Sequence, residues 1–491
     1  MRLAPLIGLM LVPAVLAGQE PVRAPLRLTL EDAIQRALRE GADVRIAQAG
    51  IKQAEGQVTQ AWATALPSLT ANLTYTRTFA SVYDLSSSSG PTLGPFSPDT
   101  AASLASRVRY LEQEYPNAVM RGIGGLFTDL PFGRPNAYVA SLTLTQTLFQ
   151  GGMIGAGIQG AHAYERAARA QLDETRREVT FRVKQAYLNA LYATRIVAIT
   201  EASQAQVNEQ LHRVQLNHQV GSAADYDLLR AQVEAANQEP LVIAARNSRD
   251  VALLEVRRLL NIPAAQPIEL ASALLQTPAD SLPPVDFAAL GAEGESRAAV
   301  DAAEATVSYR TQAVRYYRGQ AYPTLRLSSS YGGQAFPSGT FPSALSDFRR
   351  DWTASLILSV PLFDGLKTRG AVIQAQADLA QARAQLDATR ESVAIEIEQA
   401  RAEVVRAQAL VAARHETVGE AERAQHLATV RYANGIATAL EVSDARLALQ
   451  QASVNEAQAT RDYLLAVAAL ERALGHPVPL QKAGGQSAGG R

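Results

Sequence analysis

Two hydrophobic periods take turns along this chain. The first is a period of two. In Leu69-Thr-Ala-Asn-Leu-Thr-Tyr-Thr76, Leu69, Ala71, Leu73 and Tyr75 alternate with Thr70, Asn72, Thr74 and Thr76. Tyr138, Ala140, Leu142, Leu144 and Leu148 alternate with Ser141, Thr143, Thr145 and Thr147. Later, Leu325, Leu327 and Tyr331 stand against Arg326, Ser328 and Ser330, and Trp352, Ala354, Leu356, Leu358, Val360 and Leu362 against Thr353, Ser355 and Ser359. This pattern predicts four strands, each with one apolar and one wet face. Their lengths of roughly 8 to 12 residues approach what a tilted strand needs to cross a bilayer. Tyr75, Tyr138, Tyr331 and Trp352 sit toward the loop-side ends, where an interfacial aromatic girdle would lie.

The second period is 3.5. From Gly152 to about Gln219, and from Leu366 to about Ala433, there is no proline, and Ala, Gln, Glu, Arg, Leu and Val dominate. These are strong helix formers apart from valine, and a run of that length predicts a rod of roughly 100 Å. Apolar positions in the later run fall at Leu379, Ala382, Leu386, Thr389, Val393, Ile397, Ala400, Val404, Ala407, Val411 and Val418. They form a heptad seam with one four-residue stutter after Val393, which locally unwinds a supercoil. The earlier run has the same seam at Ala168, Leu172, Thr175, Val179, Val183, Ala186, Ala190, Ala193 and Val197. Helical approaches precede the strands, Leu30 to Ala65 and about Ser296 to Ala321, each stopped at a proline, Pro67 and Pro323. Return helices follow Gly221 and Gly435 and end before Pro263 and Pro477.

These elements recur as two copies. Ser141-Leu-Thr-Leu-Thr-Gln-Thr-Leu-Phe-Gln-Gly-Gly152 matches Ser355-Leu-Ile-Leu-Ser-Val-Pro-Leu-Phe-Asp-Gly-Leu366, and Gly435 follows Gly221 at the same offset at which Ser355 follows Ser141. A fixed period of this kind marks one structural unit used twice. The predicted organisation is repeat one at 18–263, a proline-bearing connector at 264–295, repeat two at 296–477, and a disordered Gly-rich tail at 478–491. The copies differ in the strand-to-strand connection, where repeat one carries a long Ser/Gly/Pro-rich loop at 80–136. A length change confined to one place reads as a variable surface loop, and an extracellular plug is the other reading.

Composition narrows the function. Lys and Arg (46) balance Asp and Glu (47), so no basic surface points to nucleic acid. Cysteine is absent, which removes thiol chemistry and Cys-based metal sites. The six histidines (162, 212, 218, 415, 426 and 476) lack ligand spacing. No Walker-type glycine loop occurs, and no nucleophile–base constellation is visible. The expectation is a protein that is not an enzyme and needs no cofactor or metal. Residues 1–17 read as a signal peptide: Arg2, an apolar run from Leu3 to Leu16, then small-residue cleavage chemistry around Val15-Leu-Ala17.

Four strands cannot stand alone in lipid, because a sheet with two open edges leaves backbone groups unpaired. If these strands meet lipid, several chains must therefore pool them into one barrel, and Thr, Ser, Asn and Arg326 would then line a wet lumen. Leu28-Thr-Leu-Glu-Asp-Ala-Ile34, Leu66-Pro-Ser-Leu69, Val360-Pro-Leu-Phe-Asp-Gly365 and Tyr432-Ala-Asn-Gly-Ile-Ala-Thr438, in that order, carry a family resemblance. Across nearly the whole mature sequence the chain resembles the TolC-like outer-membrane efflux proteins. The resemblance implies an α+β membrane protein, a homotrimer with a twelve-stranded outer-membrane β-barrel continued by a periplasmic α-helical coiled-coil barrel. It implies an exit duct of a tripartite efflux pump or type I secretion system. The implied partners are a periplasmic adaptor, an inner-membrane transporter and outer-membrane lipid. It also implies roles at the periplasmic tip turns around Gly221 and Gly435. Glu441 and Asp444, on one helix face at i, i+3, occupy acidic selectivity-ring positions, and Asp227 and Tyr432 occupy gate-linkage positions. The carboxylate pair alone also fits a solvated helix face. Where relatives often carry Arg two residues after the tip glycine, this chain has Ala223 and Ala437, so an ionic latch is expected to be missing or built differently. The competing reading of the whole chain is a soluble periplasmic coiled-coil adaptor or scaffold, which explains the heptads but not the strands.

Overall fold

A computed structural model of the chain describes residues 24–79, 96–128, 134–271, 284–287, 297–337 and 339–479. The signal-like segment 1–17, part of the long-loop stretch (80–95 and 129–133), much of the connector and the tail from 480 lie outside the described residues. Two compact units divide the chain: 57–161 with 311–377, and the remaining segments. Among the described residues no helix is long and apolar enough to cross a membrane.

The first unit is built on an antiparallel four-stranded sheet, with β2 (Ser68–Arg77), β3 (Asn136–Gln150), β5 (Thr324–Ala335) and β6 (Arg349–Ser359) in the order β2-β3-β5-β6. All four strands expected from the alternation are present. The register sets the faces. Leu69, Leu73 and Tyr75 pair with Leu144, Ala140 and Tyr138, Leu142 pairs with Tyr331, and Tyr331 pairs with Trp352. Side chains alternate along each strand, so one face collects the apolar residues and the other Thr70, Asn72, Thr143, Ser328, Ser330 and Thr353. A bulge near Leu148 shifts the β3–β5 register between Thr147 and Phe149. β6 stops at Ser359, one residue before the alternating Val360, because Pro361 has no N–H to continue a ladder.

The connection between β2 and β3 departs from the sequence reading. Within the stretch expected to be loop, α3 runs from Leu104 to Thr128. The Gly, Ser and Pro cluster before it, Pro116 inside it and the glycines near its end masked a helical period that runs only from Leu104 to Ala118. Where the two inter-strand connections leave the sheet they are tied together. Arg134 donates to the Phe336 carbonyl at 3.0 Å, Asn136 to that of Gly339 at 2.8 Å, and the Tyr138 hydroxyl to that of Thr340 at 2.7 Å.

The second unit is mainly helical. A short parallel pair, β1 (Leu26–Leu28) with β4 (Ile268–Leu270), went unseen in the sequence because three residues show no period. Gly41 divides the first approach into α1 (Leu30–Glu40) and α2 (Ala42–Ala63). Thr29 and Asp32 close a capping box on α1, and the Thr29 hydrogen bonds hold the Asp32 carboxyl below its ordinary pKa. The second approach is α6 (Ala298–Gly319). The rods are α4 (Met153–Gln219) and α7 (Lys367–Ala433), 67 residues each, and the return helices are α5 (Asp225–Leu259) and α8 (Ala439–Leu474). α4 and α7 begin and end at equivalent positions of the two copies.

The heptad positions bury as expected. Leu172, Val179, Val183, Ala190 and Val197 of α4 are buried, as are their counterparts in the second copy, Leu386, Val393, Ile397, Val404 and Val411 of α7. Two apolar cores form around them. One gathers Leu172, Val183, Tyr187, Val256 and Leu260, and the other Leu386, Ile397, Val404, Leu470 and Leu474. Tyr187 has no exposed surface, and its hydroxyl donates to the Leu28 carbonyl at 2.9 Å, satisfying the one polar group in that core position.

Charges bridge the two cores. Arg297, its side chain 7% exposed, pairs with Glu174 and Glu396. Arg472 pairs with Glu178 at 2.8 Å and with the same Glu396 at 2.6 Å, and Lys184 pairs with Glu471. Burial alone would lower the Arg297 pKa, but its two carboxylate partners outweigh that and raise it.

Candidate functional site

Two surfaces carry the functional reading. The first is the sheet. Its apolar face is open: Leu73 is 77% exposed, Trp352 73%, and Leu69, Leu356 and Leu358 more than 60%. Leucines spread so evenly over one face have no partner among the described residues of the unit. The aromatic pairs lie on that face, with Tyr75 and Tyr138 ring centroids 4.8 Å apart and Tyr331 edge-on to Trp352 at 6.4 Å. The opposite face offers hydroxyls, linked in places across strands, as Thr143 and Ser330 are at 3.4 Å. The outer edges of β2 and β6 have no strand beside them among the described residues.

The second surface is the pair of helix turns at one end of the rods. Both are Schellman motifs. At the first, the Ser222 N–H reaches the Asn217 carbonyl at 2.8 Å and the Gly221 N–H that of His218 at 3.0 Å. At the second, the Ile436 N–H reaches Arg431 at 2.9 Å and the Gly435 N–H reaches Tyr432 at 3.0 Å. The motif needs a left-handed residue at its fifth position, which Gly221 (φ 75°) and Gly435 (φ 72°) supply. Each glycine thus sits in the turn between a rod and its return helix.

The carboxylates have separate settings. Glu441 is exposed and closes a capping box: its side chain accepts from the Thr438 N–H at 3.3 Å, and the Thr438 hydroxyl accepts from the Glu441 N–H. Arg431 lies 3.5 Å from the other Glu441 oxygen. Asp444, one turn on, is exposed. Asp227 is half-buried in the first turn of α5 and lines a groove of about 280 Å³ with Arg213, Arg230, Gln425 and Thr429. Tyr432 is half-buried in the last turn of α7, and among the described residues no hydrogen bond joins it to Asp227. The structure therefore brings Glu441 and Asp444 onto one turn of α8 but does not link Asp227 to Tyr432. At the first tip, His218 meets Asp225 at 2.6 Å.

Three participants escaped the sequence reading. Arg431 precedes its tip glycine, so a search after that glycine misses it. The other two are Arg446 and Glu234, at the floor of the same groove. The Arg446 side chain is 8% exposed, pairs with Glu234 and donates to the Ser203 hydroxyl at 2.7 Å. Ser443 donates to Glu234 at 2.7 Å, and Ser203 to Gln450 at 2.8 Å. This cluster fastens α4, α5 and α8 beside the tips. Arg446 and Glu234 stand in different copies of the repeat, far apart in the chain, so no local spacing reveals the pair.

A family model described as outer membrane efflux protein matches residues 128–261 and 291–476. The outer membrane efflux protein BepC of Brucella suis is 25% identical over 336 residues, covering 68% of this chain and 71% of that protein. The alkaline protease secretion protein AprF of Pseudomonas aeruginosa is 26% identical over 345 residues, covering 68% and 69%. The crystal structure of the outer membrane protein VceC of Vibrio cholerae superposes with a TM-score of 0.69 at 21% identity, covering 91% of this chain and 96% of that one.

Proposed function

Because the chain belongs to the outer membrane efflux protein family, we propose that three copies close their sheets into one barrel and act as the exit duct of a pump or secretion assembly. Export through the outer membrane is the family's activity, and its members are channels rather than enzymes. The observation that carries the trimer is the four-stranded sheet with an exposed apolar face and two open edges. In hydrocarbon such edges must pair with another chain. Two copies would supply eight strands, and the interior of an eight-stranded barrel is filled by side chains or holds one small ligand. Three would supply twelve and leave room for a wet lumen lined by the Thr, Ser and Asn face, with the leucines and aromatic pairs turned to lipid.

The rods extend the same logic. α4 and α7 share length, seam and stutter, which is what two structural repeats per chain would need to tile one helical tunnel of six units. At the tips, three copies would gather Glu441 and Asp444 into a ring of six carboxylates at the periplasmic entrance, with Asp227 and Tyr432 nearby. A periplasmic adaptor and an energised inner-membrane transporter complete the assembly. The names of BepC and AprF cover both efflux and protease secretion, so the cargo class belongs to the transporter partner. The test is extraction and reconstitution. The chain should require detergent, migrate as a heat-resistant species of three times the monomer mass, and give discrete conductance steps in planar bilayers. A water-soluble monomer without conductance would overturn the reading.

A further inference from the structure

The helix between β2 and β3 carries a seam of its own. Along α3, Leu104, Val108, Leu111, Tyr115 and Ala118 follow one another at steps of four, three, four and three. That is the heptad spacing of a coiled coil, in which such residues face a partner helix. Among the described residues the side chains are unpartnered on that side: Leu104 is 76% exposed, Tyr115 68%, and Val108 and Leu111 remain exposed as well. The other flank is occupied by the chain itself, since Phe96 packs on Tyr110 at 5.9 Å and the Ser97 N–H donates to the Tyr110 hydroxyl at 3.1 Å. Pro116 falls outside the seam.

We propose that α3 is an interface between copies of this chain: the helices associate in parallel through the Leu104–Val108–Leu111–Tyr115 seam, beyond the strand ends opposite those that lead into the rods. This rests on the trimer reading above, because the rotation axis of a barrel gives all three copies of α3 the same sense along it, which is the sense a parallel seam needs. Two observations select a second copy over a lipid surface. First, taking Val108 and Tyr115 as a positions puts Arg107 at g and Glu112 at e. In a parallel coiled coil a g residue faces the e residue five positions on in the neighbouring helix, and opposite charges there set partner choice. Arg107 and Glu112 meet that rule, and neither side chain has a partner among the described residues. Second, helices that lie on anionic lipid are rich in Lys and Arg on the polar face. Between Leu104 and Val119, Arg107 and Arg109 are matched by Glu112 and Glu114.

The natural chain has no cysteine, so single-cysteine variants report without background. Leu111→Cys, and independently Tyr115→Cys, should give disulfide-linked dimers when native membranes are oxidised, whereas Gln113→Cys on the opposite face should not. Adding Arg107→Glu to Leu111→Cys should remove most of the linked species, and adding Glu112→Arg as well should restore it. The mass of the detergent-extracted assembly is measured in parallel. A trimer in which neither seam cysteine links, or in which Gln113→Cys links as readily, overturns the α3 interface and leaves the trimer standing. A monomer overturns both. An unlinked Leu111→Cys whose polarity-sensitive label reports lipid assigns the seam to the membrane instead.

Discussion

Glu234→Ala should loosen the helix tips without unfolding the rest of the helical unit. The carboxylate compensates a guanidinium with almost no access to water: the Arg446 side chain is 8% exposed, that of Glu234 26%. Removing Glu234 leaves Arg446 with the Ser203 hydroxyl, which carries no charge. Breaking a fully buried ion pair from one side costs about 3–5 kcal/mol, because the surviving charge stays desolvated. Glu234 lies near the groove, so water can reach part of the gap, and about 2–3 kcal/mol is the better expectation. If that cost falls on local opening, amide exchange in α5 around Glu234 and in α8 around Arg446 should speed up roughly 30- to 150-fold. Hydrogen exchange with mass spectrometry on the detergent-solubilised protein reads this segment by segment.

The far end of α8 is the internal control, since Tyr463 and Leu470 lie in an apolar core away from the cluster. Glu234→Leu with Arg446→Met removes both charges and keeps volume, so it should restore most of the protection that Glu234→Ala loses. Unchanged exchange at the tips in Glu234→Ala would falsify the claim that this pair fastens the helices. An equal increase around Tyr463 would show a global loss instead of a local one.

Four further outcomes follow from the geometry. Gly435→Ala should cost about 1–2 kcal/mol and speed exchange around the second tip alone, since a Cβ there meets nothing within 4 Å and only the backbone is strained. Glu396→Ala strips a partner from both Arg297 and Arg472 and should lower stability by about 2 kcal/mol or more. Glu403→Ala breaks only an exposed pair with Arg406 and should cost less than about 1 kcal/mol; thermal melting of the two variants side by side tests the contrast. Asp227→Ala should leave bilayer conductance nearly unchanged, because its carboxylate makes no hydrogen bond or ion pair among the described residues, and a large rise would mean that assembly creates a latch there. Glu441→Gln with Asp444→Asn should reduce cation preference in reversal-potential measurements if these carboxylates ring the entrance, and an unchanged reversal potential would return them to a solvated face.

What the sequence disclosed and what it hid divide by range. Strand faces depend only on parity, so Leu69, Tyr138 and Trp352 could be assigned to one apolar face before their register was known. The rods depend on a seam repeated within each helix, and the tips on glycines that a left-handed turn demands. Arg446 and Glu234 meet from separate copies of the repeat, and a charged residue that will be buried looks like any other on a helix. α3 was local and still missed, because Pro116 and the glycines around it outweighed a heptad of only four or five positions. Glu441 is the instructive case. Thr438-Ala-Leu-Glu441 is a legible capping box, yet the residue reads more readily as a lumen carboxylate once a channel is in view. Both roles draw on the same side chain, and they separate by substitution. Glutamine keeps an acceptor for the Thr438 N–H and loses the charge, whereas alanine loses both. A selectivity change seen with alanine alone would therefore report a frayed α8, and only one that survives in Glu441→Gln reports the charge.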